Sequence, residues 1–295
     1  MSEGGAPRER TLSANGVSFA LLEAGPPDGP LALCLHGYPD TARTWRHLMP
    51  ELAAAGWRAV APYMRGYAPT SIPEDGIYQT GALVADANAL HEALGAGPDA
   101  VLIGHDWGAH AACGAASHQP QRWRRAVALA VPPTPALATL MSNVEQLKRS
   151  WYMFFNLTPF ADAVIPLEDF ALIRAIWSDW SPGYDATQDV AWVAQSLADP
   201  ANLAAALGYY RALLGMVEPD PRLAAEQQAA VGVPPQPMLY MHGRDDGCLG
   251  VEVAQAVPGL LAEGSHVELI DGAGHFLHLE KPREVNAAII GFLGA

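Results

Sequence analysis

Apolar and polar positions along the chain alternate between two periods. Residues 10–13 and 17–23 form strand-like runs on either side of Asn15-Gly16, and Asn-Gly between two such runs predicts a hairpin. Short apolar runs at 31–35, 58–61, 100–103 and 126–131 read as further strands. Between them, 44–55, 80–94 and 107–117 carry helical patterns, the first two stopped by Gly56 and Gly95. Strands alternating with helices predict a mostly parallel sheet covered on both faces. From residue 132 to about 235 the alternation stops: the periodicity is helical and no convincing strand occurs. The alternation resumes with strands at 238–241 and 267–270 and a last helix from about 283 to 292. The expectation is an α/β core (1–131 and 236–295) with a helical cap (132–235) inserted after the sixth strand. An insertion between strands of one sheet must lie over an edge or end, and the carboxyl ends of parallel strands are where ligands bind.

Composition narrows the function. With 295 residues, half of them hydrophobic, the chain can build one large core plus an insertion. Lys and Arg number 17 against 31 Asp and Glu, a formal charge of −14 with no basic run, which argues against nucleic acid or an anionic membrane as partner. No apolar stretch reaches the roughly 20 residues of a bilayer span. Residues 1–10 are polar, lack the apolar core of a signal peptide and read as a frayed tail. Cys34, Cys113 and Cys248 have no C-x-x-C spacing, and the first two fall in apolar runs as buried free thiols, which suits a reducing cytoplasm. The expected partners are a small molecule and water, with the chain a monomer or homodimer.

Three segments that each follow a strand carry the chemistry. The run Val101-Leu102-Ile103 ends in Gly104-His105-Asp106-Trp107-Gly108 and passes straight into an Ala-rich helical pattern. That is the layout of a nucleophile elbow, with Asp106 where Ser usually stands. The second segment is Gly243-Arg244-Asp245-Asp246 and the third Gly272-Ala273-Gly274-His275. The order nucleophile, acid, histidine is that of the α/β-hydrolases, not of chymotrypsin or subtilisin.

On these residues, with His36-Gly37-Tyr38-Pro39, Trp45 and Gly274-His275-Phe276, nearly the whole chain resembles the epoxide hydrolase and haloalkane dehalogenase branch of the α/β-hydrolases. The Gly-x-x-Asp pattern of that branch selects Asp246 over Asp245 as the acid that orients His275. The site where some relatives place the acid reads Val131-Pro132-Pro133-Thr134, without a carboxylate. The resemblance implies an oxyanion hole made of the Tyr38 and Trp107 backbone N–H groups; Pro39 has no N–H to offer.

A carboxylate nucleophile points away from ester hydrolysis, where it would form an anhydride. Attack on an electrophilic sp3 carbon instead gives an alkyl ester of Asp106, which water activated by His275 can hydrolyse. Epoxides, alkyl halides and haloacids offer such carbons. Epoxide opening creates a basic alkoxide and calls for a proton donor, and the resemblance implies two cap tyrosines for that role. Tyr152, with aromatic residues after it and Pro159 seven places on, matches the first motif. Tyr210 before Arg211 matches the second. The first motif departs from the family at Leu157, where relatives carry Gln, and aligning on Asn156 would put Trp151 at the tyrosine position. Trp107, Trp151, Phe155 and Phe276 are expected to contact an apolar substrate. The alternatives are a haloalkane or haloacid dehalogenase and, from another class, a non-enzymatic binding protein. Against the first, Tyr38 stands where a halide-holding Asn is common, and Trp107 where fluoroacetate-type enzymes carry Arg. No cofactor is expected, and no metal, since no pair of histidines has helical spacing near a third ligand.

Overall fold

The computed structural model describes residues 7–138 and 143–294. Eight strands, β1 (Arg8–Ala14), β2 (Val17–Ala24), β3 (Leu31–Leu35), β4 (Arg58–Pro62), β5 (Ala100–His105), β6 (Trp123–Leu129), β7 (Met238–Gly243) and β8 (His266–Ile270), form one sheet. Their order is β1-β2-β4-β3-β5-β6-β7-β8. The β1–β2 hairpin and the β2–β4 pair are antiparallel and every other pair is parallel. Asn15 and Gly16 at the hairpin both have positive φ (45° and 71°), the backbone that a two-residue primed turn requires. Strands β3, β5 and β7 are buried at every position, as expected where helices cover both faces. The core helices are α1 (Leu48–Ala54), α2 (Thr80–Ala93) and α3 (Trp107–His118).

Two expectations are corrected. The frayed tail ends sooner, because Arg8, Glu9 and Arg10 pair with Glu23, Leu22 and Leu21 as the edge of the sheet; residues 1–6 lie outside those described. The helix expected over 44–55 is a 3-10 turn, Ala42–Arg46, followed by α1. Pro50 explains the break: without an N–H it cannot bond back to Arg46, so an α-helix holding it must begin just before it.

Among the described residues, the segment from 132 to 235 contains helices and no strand, including α4 (Trp151–Phe155), α5 (Leu167–Trp180), α6 (Thr187–Ser196), α7 (Pro200–Leu213) and α8 (Ala224–Ala230). Its polar side chains grip the loops at the carboxyl ends of β3 and β4. Trp177 Nε1 donates to Pro39 O (2.9 Å), Asn202 Nδ2 to Gly66 O (2.6 Å) and the Tyr209 hydroxyl to Arg65 O (2.8 Å). A bidentate pair from Arg46 to buried Asp189 (2.7 and 3.1 Å) adds a charged tie. Helix α8 instead packs on α2 and α3, so the inserted segment also adds a helix to the layer over the sheet. No described helix is long and apolar enough to cross a membrane.

Candidate active site

Asp106 sits between β5 and α3 with φ 53° and ψ −118°, a strained backbone for a residue with a side chain. Such strain costs on the order of 1–3 kcal/mol and persists only where neighbours impose it. Glycines impose it here. A Cβ on Gly104 would run into the backbone of Gly108, and one on Gly108 into Leu35 O. Gly37 presents its bare Cα to the Asp106 side chain, and the next N–H, that of Tyr38, donates to Asp106 Oδ1 at 2.7 Å. Trp107 heads α3, so its N–H belongs to the first turn, whose donors have no partner within the helix. A helix N-terminus also favours negative charge beside it.

His275, fully buried in the loop after β8, faces Asp106 from the other side. Its Nδ1 bonds Asp246 Oδ2 at 2.9 Å, and its Nε2 stands 3.8 Å from Asp106 Oδ2, beyond hydrogen-bond length. The other Asp246 oxygen accepts from the N–H groups of Cys248 (2.7 Å) and Leu249 (2.9 Å). Asp245 is exposed and takes no part. Burial alone would depress the His275 pKa, but the Asp246 and Asp106 carboxylates outweigh it and lift the imidazole to about 10. Burial also opposes ionisation of the two carboxylates, and His275 outweighs it there too, holding both below the ordinary range.

The other motif histidines brace these loops. His36 Nε2 accepts from Met64 N–H (2.9 Å), which leaves Nδ1 as the donor to Gly37 O (2.9 Å). His105 Nε2 donates to His275 O (3.0 Å), and His242 Nε2 to Leu249 O (3.1 Å). Two groups of metal-ligating residue types occur among the described residues. In Asp246, Cys248 and His275, the imidazole Nδ1 is already committed to the carboxylate. Asp40, His105 and His278 lie buried behind the base with three ligand-type atoms within 4.8 Å of one another. Three donors fall short of a closed structural site. Burial pushes the Asp40 carboxyl well above the usual carboxylate range, and its Oδ1 accepts from the Thr41 N–H (2.7 Å).

In front of Asp106 lies a cavity of about 160 Å³. Trp107, Tyr152 and Tyr210 line it with Asp106. The Tyr210 ring meets those of Trp107, Tyr38 and Tyr152 edge-on, with centroids 5.1, 5.2 and 5.7 Å away. Its hydroxyl has no partner among the described residues, while the Tyr152 hydroxyl lies 3.4 Å from Cys248 Sγ. Burial raises both phenols well above the ordinary tyrosine range, so they stay protonated. Of the Trp151–Tyr152 pair, Tyr152 turns inward and Trp151 is 42% exposed. Three residues expected at the substrate are not among those lining this cavity. Trp151 and Phe155 pack together on the outer side of α4, and Phe276 is buried behind His275, stacked on Trp177. Sequence reasoning missed Cys248, whose N–H two places after Asp246 follows the habit of Asp side chains to bond their own backbone two residues on. It also missed Thr80, His110 and Gln227, which line the cavity from three different helices and share no sequence motif.

The model of the α/β-hydrolase fold family matches residues 30–282. Epoxide hydrolase A of Mycobacterium tuberculosis (strain ATCC 25618 / H37Rv) is 30% identical over 326 aligned positions, covering 98% of each chain. An epoxide hydrolase of Caballeronia sordidicola is 32% identical over 329 positions, covering 98% of this chain and 94% of that protein. The crystal structure of Bacillus megaterium epoxide hydrolase in complex with an inhibitor has a TM-score of 0.83 at 26% identity, over 97% of this chain and 100% of that one.

Proposed function

Since the chain belongs to the α/β-hydrolase fold family and stands with its epoxide hydrolases, we propose that it opens a largely apolar epoxide to a vicinal diol through an alkyl ester of Asp106. One observation carries this reading: a carboxylate at the elbow shares its cavity with two protonated phenols, those of Tyr152 and Tyr210. Asp106 attacks a ring carbon, the ring C–O bond breaks, and the oxygen left on the neighbouring carbon takes a proton from a tyrosine. Apart from Asp106, no acid or base of fixed charge lines the cavity among the described residues, and the protonated phenols suit an alkoxide better than a halide, which needs no proton.

The charges around His275 fit a two-step cycle. In the free enzyme the imidazole carries a proton, lifted by two carboxylates. Esterification removes the Asp106 charge and with it part of that lift, so the proton is freed to restore the tyrosine. The neutral imidazole then takes a proton from water. A water can bond His275 Nε2 and the ester together in a bent bridge, because 3.8 Å separates the two side chains. The hydroxide adds to the Asp106 carboxyl carbon, and the resulting oxyanion meets the Tyr38 and Trp107 N–H groups. Collapse breaks the bond to the alkyl oxygen. The carboxylic acid first formed gives its proton to the departing alkoxide, which leaves Asp106 ionised and His275 protonated as at the start. No cofactor enters this cycle. We assign the segment 132–235 the role of a cap that carries the proton donors.

An aryl epoxide and 1-bromobutane, each incubated with the protein, test the reading. Diol without bromide release is expected. Bromide with no diol would reverse the choice of leaving group.

A further inference from the structure

The cavity holds polar groups that no step above uses. Thr80 begins α2, His110 lies one turn into α3, and Gln227 sits on α8, three helices packed against one another. All three side chains line the cavity. Gln227 Oε1 accepts the Gly81 N–H (2.8 Å), which holds the amide beside the start of α2 and leaves its Nε2 with no acceptor among the described residues. Neither His110 ring nitrogen and no atom of the Thr80 hydroxyl bonds a described residue, whereas Thr134, another polar residue in the wall, is already spent on Ala230 O (3.0 Å). Burial depresses the His110 pKa against the pull of Asp106, so its imidazole is neutral at pH 7 and offers one donor and one acceptor.

These groups specify a ligand. The lining contains no Lys or Arg, and Asp106 contributes a carboxylate, so an anionic substrate would enter without a counter-charge. Unpaired N–H and O–H donors call for an oxygen acceptor. Asp106 and His110 are four residues apart at the start of α3, which sets the acceptor roughly 6 Å along the helix from the nucleophile. A cavity near 150 Å³ holds a ligand on the order of benzene in size, and this one measures about 160 Å³. On the epoxide reading, on which this rests, we propose that the substrates are short, uncharged epoxides with a carbonyl, ether or hydroxyl oxygen at the end remote from the ring. Thr80, His110 and Gln227 bind that oxygen.

The test compares 5,6-epoxyhexan-2-one with 5,6-epoxy-2-methylhex-1-ene, which has the same shape but a methylene in place of the carbonyl oxygen. Diol release is measured as kcat/KM for the wild type, His110→Leu and Gln227→Leu. The wild type is expected to prefer the ketone about tenfold, the worth of one to two hydrogen bonds, mainly through KM. Each substitution is expected to cut that ratio severalfold. Equal kcat/KM for the two epoxides in the wild type, or a ratio that survives both substitutions, would overturn the inference while leaving the epoxide reading intact. No diol from either compound would remove that reading and this inference together.

Discussion

The core and the segment assigned as a cap hold their candidate functional groups by different means. In the core, Asp106, Asp246 and His275 each sit in a turn after a parallel strand, and the backbone fixes them: Tyr38 N–H on Asp106, Cys248 and Leu249 N–H on Asp246. His275 is tied through its own N–H to Trp180 O at 2.9 Å, a backbone acceptor that helix α5 of the 132–235 segment supplies. In the cap, Tyr152 and Tyr210 ride on helices α4 and α7 and are held by ring packing, with the Tyr210 hydroxyl unpartnered among the described residues. The outer face of the cap also leaves Trp151, Phe154, Phe160 and Met216 substantially exposed. On the proposed cycle, the charged groups stand at strand ends held by backbone N–H groups, and the two candidate proton donors stand on helices held by ring packing.

The comparison breaks most visibly at His275. His275→Gln is expected to leave alkylation in place and slow ester hydrolysis about 10⁴-fold, the upper range for loss of a general base, so that an adduct accumulates on Asp106 and is seen by mass spectrometry of the digested protein. An adduct elsewhere, with turnover retained, would put the nucleophile in the wrong place. Asp246→Asn keeps the shape but removes the charge and the tautomer control, and about a 10³-fold loss of turnover is expected in steady-state assays. If Asp245→Asn had the larger effect, the acid would be misassigned.

Removing either tyrosine hydroxyl should act on the first half-reaction only. Tyr210→Phe is expected to slow ring opening by about 10- to 100-fold, read as the pre-steady-state rate of ester formation, with hydrolysis of the ester unchanged. Unaltered ring opening in both Tyr210→Phe and Tyr152→Phe would strip the cap of its proton-donor role.

The sequence made the core legible because its groups are contiguous motifs in forced conformations. Gly104, Asp106 and Gly108 announce a turn that tolerates few other residues, and the Gly-x-x-Asp pattern points to Asp246, the carboxylate that contacts His275. The spacing to Pro159 selects Tyr152, and it is Tyr152 that faces the cavity while Trp151 faces outward. The substrate wall was less legible. Phe155 and Phe276 have the right chemistry, but their helix faces and neighbours direct them elsewhere. His110 and Gln227 meet only because α3 and α8, more than a hundred residues apart, pack together. Periodicity says which face of a helix is apolar and not which helix will lie against it. The helix expected over 44–55 failed for a local reason, the missing N–H of Pro50.

The smallest expected effect concerns protonation. The free-enzyme imidazole of His275 should titrate near 10 by NMR. Hydrolysis of the ester needs the neutral imidazole, so its rate should rise with pH. Its midpoint should lie below that of the free enzyme, because the uncharged ester no longer lifts His275. Coincident midpoints would mean that the Asp106 charge does not control the base.

On the proposed cycle Asp106 is consumed and restored within each turnover. A single turnover with enzyme in excess, run in water labelled with oxygen-18, addresses it without any substitution. The label is expected in the Asp106 carboxylate, and the diol formed in that turnover is expected to carry the unlabelled oxygen the aspartate gave up. Label in the diol, with none in the Asp106 peptide, would mean that water attacks the epoxide directly and would contradict that cycle.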